Sequence, residues 1–89
     1  MSMAEKRTAR ILVVDDDRDI RDSLKLILEK NGYRVRLAEN GTEALKELNT
    51  QKPDLMILDV MMSTDTEGFD LAYTIKQTPG LENLPVIML

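Results

Sequence analysis

Ile11-Leu12-Val13-Val14-Asp15-Asp16-Asp17 and Leu55-Met56-Ile57-Leu58-Asp59 decide how this chain folds. In each stretch an unbroken apolar run ends abruptly in carboxylates. A continuous run, rather than an alternating one, is the pattern of a strand covered on both faces, as in a parallel sheet. If the two strands lie side by side and parallel, their C-terminal ends bring Asp15, Asp16 and Asp59 together. Clustered like charges repel, so the arrangement destabilises the fold unless something neutralises it. A hard divalent cation does so naturally: Mg²⁺ takes oxygen ligands and commonly uses one or two carboxylates.

Working outward, Arg10 to Val14 reads as the first strand, and Asp17 is placed to cap a helix from about Arg18 to Lys30. Ile20, Leu24, Ile27 and Leu28 form its apolar stripe, and Asn31-Gly32 is its stop signal. Tyr33, Val35 and Leu37 alternate with Arg34 and Arg36, which predicts a strand nearer the sheet edge with both arginines facing solvent. Asn40-Gly41 opens a short helix to about Asn49, with Ala44, Leu45 and Leu48 inward. Pro53-Asp54 breaks the chain before the strand Leu55 to Leu58, and a polar loop runs from Val60 to about Glu67. A third helix, about Gly68 to Gln77, buries Phe69, Leu71 or Ala72, and Ile75, and Thr78-Pro79-Gly80 ends it. A last apolar strand covers Val86 to Leu89.

Strands alternating with helices predict an α/β fold with a doubly wound parallel sheet, in three α/β/α layers with right-handed crossovers. In such a sheet the site lies beyond the carboxyl ends of the strands, where strand order reverses. A flavodoxin-like order 2-1-3-4(-5) puts that point between the strands ending at Val14 and Leu58. The sequence stops inside a strand at Leu89, so a last strand and terminal helices are expected outside this chain.

With 89 residues there is room for one domain, spanning 1–89, of which 1–8 reads as a flexible lead-in. The core must be aliphatic, since aromatics make up 3% of the chain against 43% apolar residues. A net charge of −4 argues against a nucleic-acid surface, which needs a clustered basic footprint. No apolar run is long enough to span a membrane, and the N-terminus carries no secretory signal. The absence of Cys fits a cytoplasmic setting, and with no His the commonest general base is missing.

Taken singly, these residues have plainer readings. The Asp triplet could be a solvated helix start and Asp59 a turn residue. Met61 and Met62 read as packing residues, and Ser63 and Thr64 as loop filler without a base to activate them. A Ca²⁺ loop beginning at Asp15 fails, because Ile20 stands where Gly is required and Leu26 where Glu is required.

Taken together, the ordered motifs resemble the receiver domain of two-component response regulators, the CheY-like superfamily. The matching stretches are Ile11 to Asp17, Asn40-Gly41-Thr42-Glu43-Ala44-Leu45, Pro53 to Met62, Gly68-Phe69-Asp70-Leu71, and Leu84 to Leu89. The resemblance implies that Asp59 is the phosphoacceptor. It implies Mg²⁺ held by Asp16 directly, by Asp15 mainly through water, by Asp59 and by the backbone carbonyl of Met61. It implies a signalling switch that receives its phosphoryl group from a histidine kinase or phosphotransfer protein and controls an output partner. Such a switch is not a dedicated enzyme, although it can autodephosphorylate. Neither nucleic acid nor membrane would contact this domain directly; a homodimer is compatible with it. The family's switch Ser or Thr and its Lys would fall beyond Leu89, and Lys76 is no substitute. Two departures stand out: Ser63 occupies the position where the family usually has Pro, and the loop before Gly68 is one residue longer. Two other functions compete. One is a phosphorylation-independent interaction module. The other is a phosphohydrolase like the haloacid-dehalogenase enzymes, with Asp15 as nucleophile and Asp17 as acid.

Overall fold

The structure is a computed structural model that describes residues 8–59 and 67–89, with side chains from 71 onward in the second stretch. Seven elements follow in the order β1 (Arg10–Val14), α1 (Arg18–Lys30), β2 (Arg34–Ala38), α2 (Gly41–Thr50), β3 (Leu55–Leu58), α3 (Glu67–Gln77) and β4 (Val86–Met88). The four strands form one parallel sheet in the order β2-β1-β3-β4. The chain steps from β1 to one side and then returns to the other. With right-handed crossovers this puts α1 on one face and α2 and α3 on the opposite face.

Side-chain alternation along the strands divides the core accordingly. Leu12 and Val14 of β1 pair in register with Met56 and Leu58 of β3. They join Ala38, Ala44, Leu48, Leu71, Ile75 and Leu84 in the larger cluster, packed under α2 and α3. Ile11 and Val13 point to the other face and are also buried. Leu71 and Ile75, expected inward, are inward; Phe69 lies outside the described side chains.

The capping residues act as the sequence suggests. The Asp17 carboxylate accepts the Asp19 N–H at 2.8 Å and the Ile20 N–H at 3.4 Å. At the other end Gly32 takes φ +92°, a conformation that favours glycine, and its N–H bonds to the Glu29 carbonyl. Asn40 caps α2 by accepting the Glu43 N–H at 2.9 Å, and Glu43 in turn accepts the Glu39 N–H. Arg34 and Arg36 face solvent on the edge strand, with Arg36 paired to Glu47 of α2.

Four expectations need correction. Ile20 and Ile27, placed in the inward stripe of α1, are 41% and 55% exposed, while Leu24 and Leu28 are half-buried. The apolar stripe is wider than the cover that β1 and β2 give it. Leu45, also expected inward, is 37% exposed, because Ala44 and Leu48, one turn apart, hold the contact with the sheet. Tyr33 belongs to the helix stop rather than to β2: its N–H bonds to the Leu28 carbonyl. α3 begins one residue earlier than expected, at Glu67.

Candidate functional site

The strand ladder runs up to the carboxylates. The Asp15 N–H bonds to the Ala38 carbonyl at 3.1 Å, and the Asp59 N–H bonds to the Val14 carbonyl at 3.0 Å. Asp15 and Asp59 therefore leave neighbouring strands at the same level, at the point where strand order reverses. Asp16 follows in the turn. One carboxylate oxygen from each of Asp15, Asp16 and Asp59 lies within 4.8 Å of the others. Their burial is graded: Asp15 is 1% exposed, Asp59 half-buried, and Asp16 open to solvent.

Burial is the main cause that pushes the Asp15 carboxyl above its ordinary value of 3.8. The Asp17 N–H, donating to Asp15 Oδ1 at 2.9 Å, acts in the opposite direction. The neighbouring Asp59 charge, a hydrogen bond with the Asp59 carboxyl, and Asp16 all push it further up. An all-oxygen donor set under charge strain, reachable from solvent through Asp16, fits a hard divalent cation.

Asp17 is not among the carboxylates that meet; its Oδ1 caps α1, accepting the N–H groups of Asp19 and Ile20. Lys76 is also remote in role, since its Nζ donates to the Leu84 carbonyl at 3.0 Å and the Glu82 carbonyl at 3.5 Å. Met61, Met62, Ser63 and Thr64, together with the departures at Ser63 and in the longer loop, lie outside the described residues. The sequence reading missed Arg21. Its Nη1 donates to the Asp15 carbonyl at 2.7 Å. Helical side chains lean toward the N-terminus, so a cation in the first turn of α1 can reach back, but nothing in the side-chain pattern singles out Arg21 over Arg18.

A doubly wound sheet with carboxylates gathered at its reversal point belongs to the flavodoxin-like α/β class, with the acidic site where that class binds its ligands. The chain is a member of the response regulator receiver domain family, whose model matches residues 11–89. It is 43% identical over 82 residues to the response regulator MprA of Mycobacterium ulcerans, an alignment covering 92% of this chain. This chain spans about a third (34%) of the length of that relative. Among solved structures, the N-terminal domain of a response regulator receiver protein from Methanoculleus marisnigri superposes with a TM-score of 0.86 at 40% identity. That match covers 92% of this chain and 66% of the other. A chemotaxis response regulator of Vibrio cholerae also gives a TM-score of 0.86, at 30% identity, covering 92% of this chain and 68% of the other. Among the described residues no helix is long and apolar enough to cross a membrane.

Proposed function

We propose that this receiver domain is a phosphoacceptor switch in which Asp59 takes a phosphoryl group from a histidine kinase or phosphotransfer protein. The observation that carries the reading is the convergence of Asp15, Asp16 and Asp59 at the reversal point of the sheet. Asp15, Asp16, Asp59 and the carbonyl of Met61 would hold one Mg²⁺. The ion would supply charge neutralisation for the carboxylates and for the incoming phosphoryl oxygens.

The chain's own groups do the rest. An Asp59 carboxylate oxygen attacks phosphorus and forms an O–P bond. The bond from phosphorus to the donor imidazole nitrogen breaks, and the imidazole leaves with the electron pair. Carboxylate is a weak nucleophile, but this chemistry depends mainly on positioning and charge stabilisation. The Asp59 N–H, fixed to β1, holds the carboxylate beside the other two. The product is a signalling state for an output partner, in a cytoplasmic setting; hydrolysis of the acyl phosphate resets it. The phosphohydrolase alternative is disfavoured because Asp17, its required acid, is a helix cap, and Asp15, its required nucleophile, is buried.

The test is to treat the protein with a small phosphodonor and Mg²⁺ and to map the modification by mass spectrometry. Phosphate is expected on Asp59 and is expected to vanish in Asp59→Asn. Modification on Asp15 or Asp17, or undiminished labelling of the variant, refutes the reading.

A further inference from the structure

Asp15 has a carbonyl as well as a carboxylate, and that carbonyl sits where the ladder has ended. The Asp59 N–H has already bonded to Val14, one residue earlier. The chain turns at Asp16 and Asp17 into α1. A carbonyl on a residue only 1% exposed needs a donor, and among the described residues no backbone N–H is bonded to it. Arg21 provides it, with Nη1 at 2.7 Å, from four residues inside the helix. The same residue's backbone N–H bonds to the Asp17 carbonyl at 3.0 Å. Arg21 thus ties both ends of the Asp15–Asp17 turn to the first turn of α1. Inside this tie, the Asp17 N–H fixes Asp15 Oδ1. The half-buried guanidinium is also the cation that the structure brings against the main chain of the acidic turn.

We infer that Arg21 is a positioning residue for the divalent cation at Asp15, Asp16 and Asp59: it sets the angle at which the turn presents the first two carboxylates. The inference rests on the cation-binding role proposed above for that cluster. Groups that orient metal ligands commonly change metal affinity by about 10- to 100-fold when removed, although they never touch the ion. An opposing effect makes the inference decidable. Arg21 carries positive charge close to a cation site, so deleting it should tighten Mg²⁺ binding if charge were its only influence. Positioning predicts the reverse sign. Salt separates them further, because at 1 M the screening length falls to about 3 Å and the charge effect fades, whereas a geometric effect persists.

The experiment is a calorimetric Mg²⁺ titration of wild type, Arg21→Ala, Arg21→Lys and Arg18→Ala, at 0.15 M and 1 M salt. Thermal unfolding of each metal-free protein fixes a temperature at which it is folded. Arg18 is the control: it sits on the same turn, pairs with Asp22 in solvent and has an 83% exposed side chain. Arg21→Ala is expected to weaken Mg²⁺ binding about tenfold or more at both salt concentrations. Arg21→Lys, which keeps the charge and a single-point donor, should recover part of that loss, and Arg18→Ala should stay within about twofold of wild type. If Arg21→Ala does not remain folded, Arg21→Lys carries the test, and affinity equal to wild type then overturns the inference. Equal or tighter binding by folded Arg21→Ala also overturns it. Wild type that binds no Mg²⁺ would bring down the cation-site reading and this inference together. Wild type that binds normally beside an unaffected Arg21→Ala brings down this inference alone.

Discussion

Asp15→Asn should stabilise the metal-free protein at neutral pH, although it removes a proposed ligand. Two unit charges at the 4.8 Å limit that encloses the carboxylate oxygens repel by about 3.5 kcal/mol at an effective dielectric of 20, and by about 0.9 kcal/mol in water. Asp15 is buried while Asp16 is solvated, so the repulsion falls between these limits. Asn keeps an oxygen to accept the Asp17 N–H, so that bond survives. A net gain of about 1–2 kcal/mol follows, or roughly 4–16 °C in Tm for a domain of this size. The sign with pH is fixed by the direction of the shift. Asp15 is raised above 3.8 in the folded state, so between 3.8 and the folded value the native protein binds more protons than the unfolded chain. Wild-type stability from this group is therefore present at low pH and is lost as pH rises through that window. The advantage of Asn should be full at pH 7 and should vanish as pH falls below 3.8. Mg²⁺ should reverse the order, since a ligand at 100 times its Kd adds about 2.7 kcal/mol to the protein that binds it. The assay is thermal unfolding of both proteins across pH, with chelator and with Mg²⁺. A variant no more stable than wild type at pH 7 in chelator refutes the reasoning, as does a gap that persists undiminished in acid.

Two further outcomes follow from the same geometry. Asp16→Ala should weaken Mg²⁺ binding far more than Asp17→Ala, whereas Asp17→Ala should lower stability by about 1 kcal/mol through loss of the cap; equal effects in calorimetry would overturn the assignment. The isolated 89-residue polypeptide should self-associate through the outer edge of β4, where Ile87 and Met88 are 49% and 40% exposed, and Ile87→Lys should reduce this; a cooperative monomer by light scattering would contradict it.

The sheet and its acidic corner were legible because two signals were unambiguous. Unbroken runs at Ile11 to Val14 and Leu55 to Leu58 can be satisfied only by cover on both faces, and alternation at Val35 and Leu37 marked the edge. The flavodoxin-like order 2-1-3-4 then supplied the meeting of Asp59 with Asp15 and Asp16, while handedness fixed only the faces on which the helices lie. Exposure on the helices was less legible. Periodicity identifies which side of a helix faces inward, but not how wide a surface lies beneath it. Ile20, Ile27 and Leu45 were misplaced for that reason. Arg21 was invisible for a different one: its partner is a backbone carbonyl, and no side-chain pattern marks where a ladder runs out of donors.

The register of β1 with β3 also decides whether the acids of the site meet. Sliding β3 by a single residue would move every side chain to the opposite face of the sheet, because a strand repeats every two residues. Met56 and Leu58 would leave the larger core, and Asp59 would be displaced by roughly 3.3 Å, outside the cluster. A slip of one would put Leu55 and Ile57 in their place, so the native register is the alignment that both seats Met56 and Leu58 in the core and brings the acids together. Assembly of the corner is driven by residues that never touch an ion, so the folded chain can present it before any ion arrives.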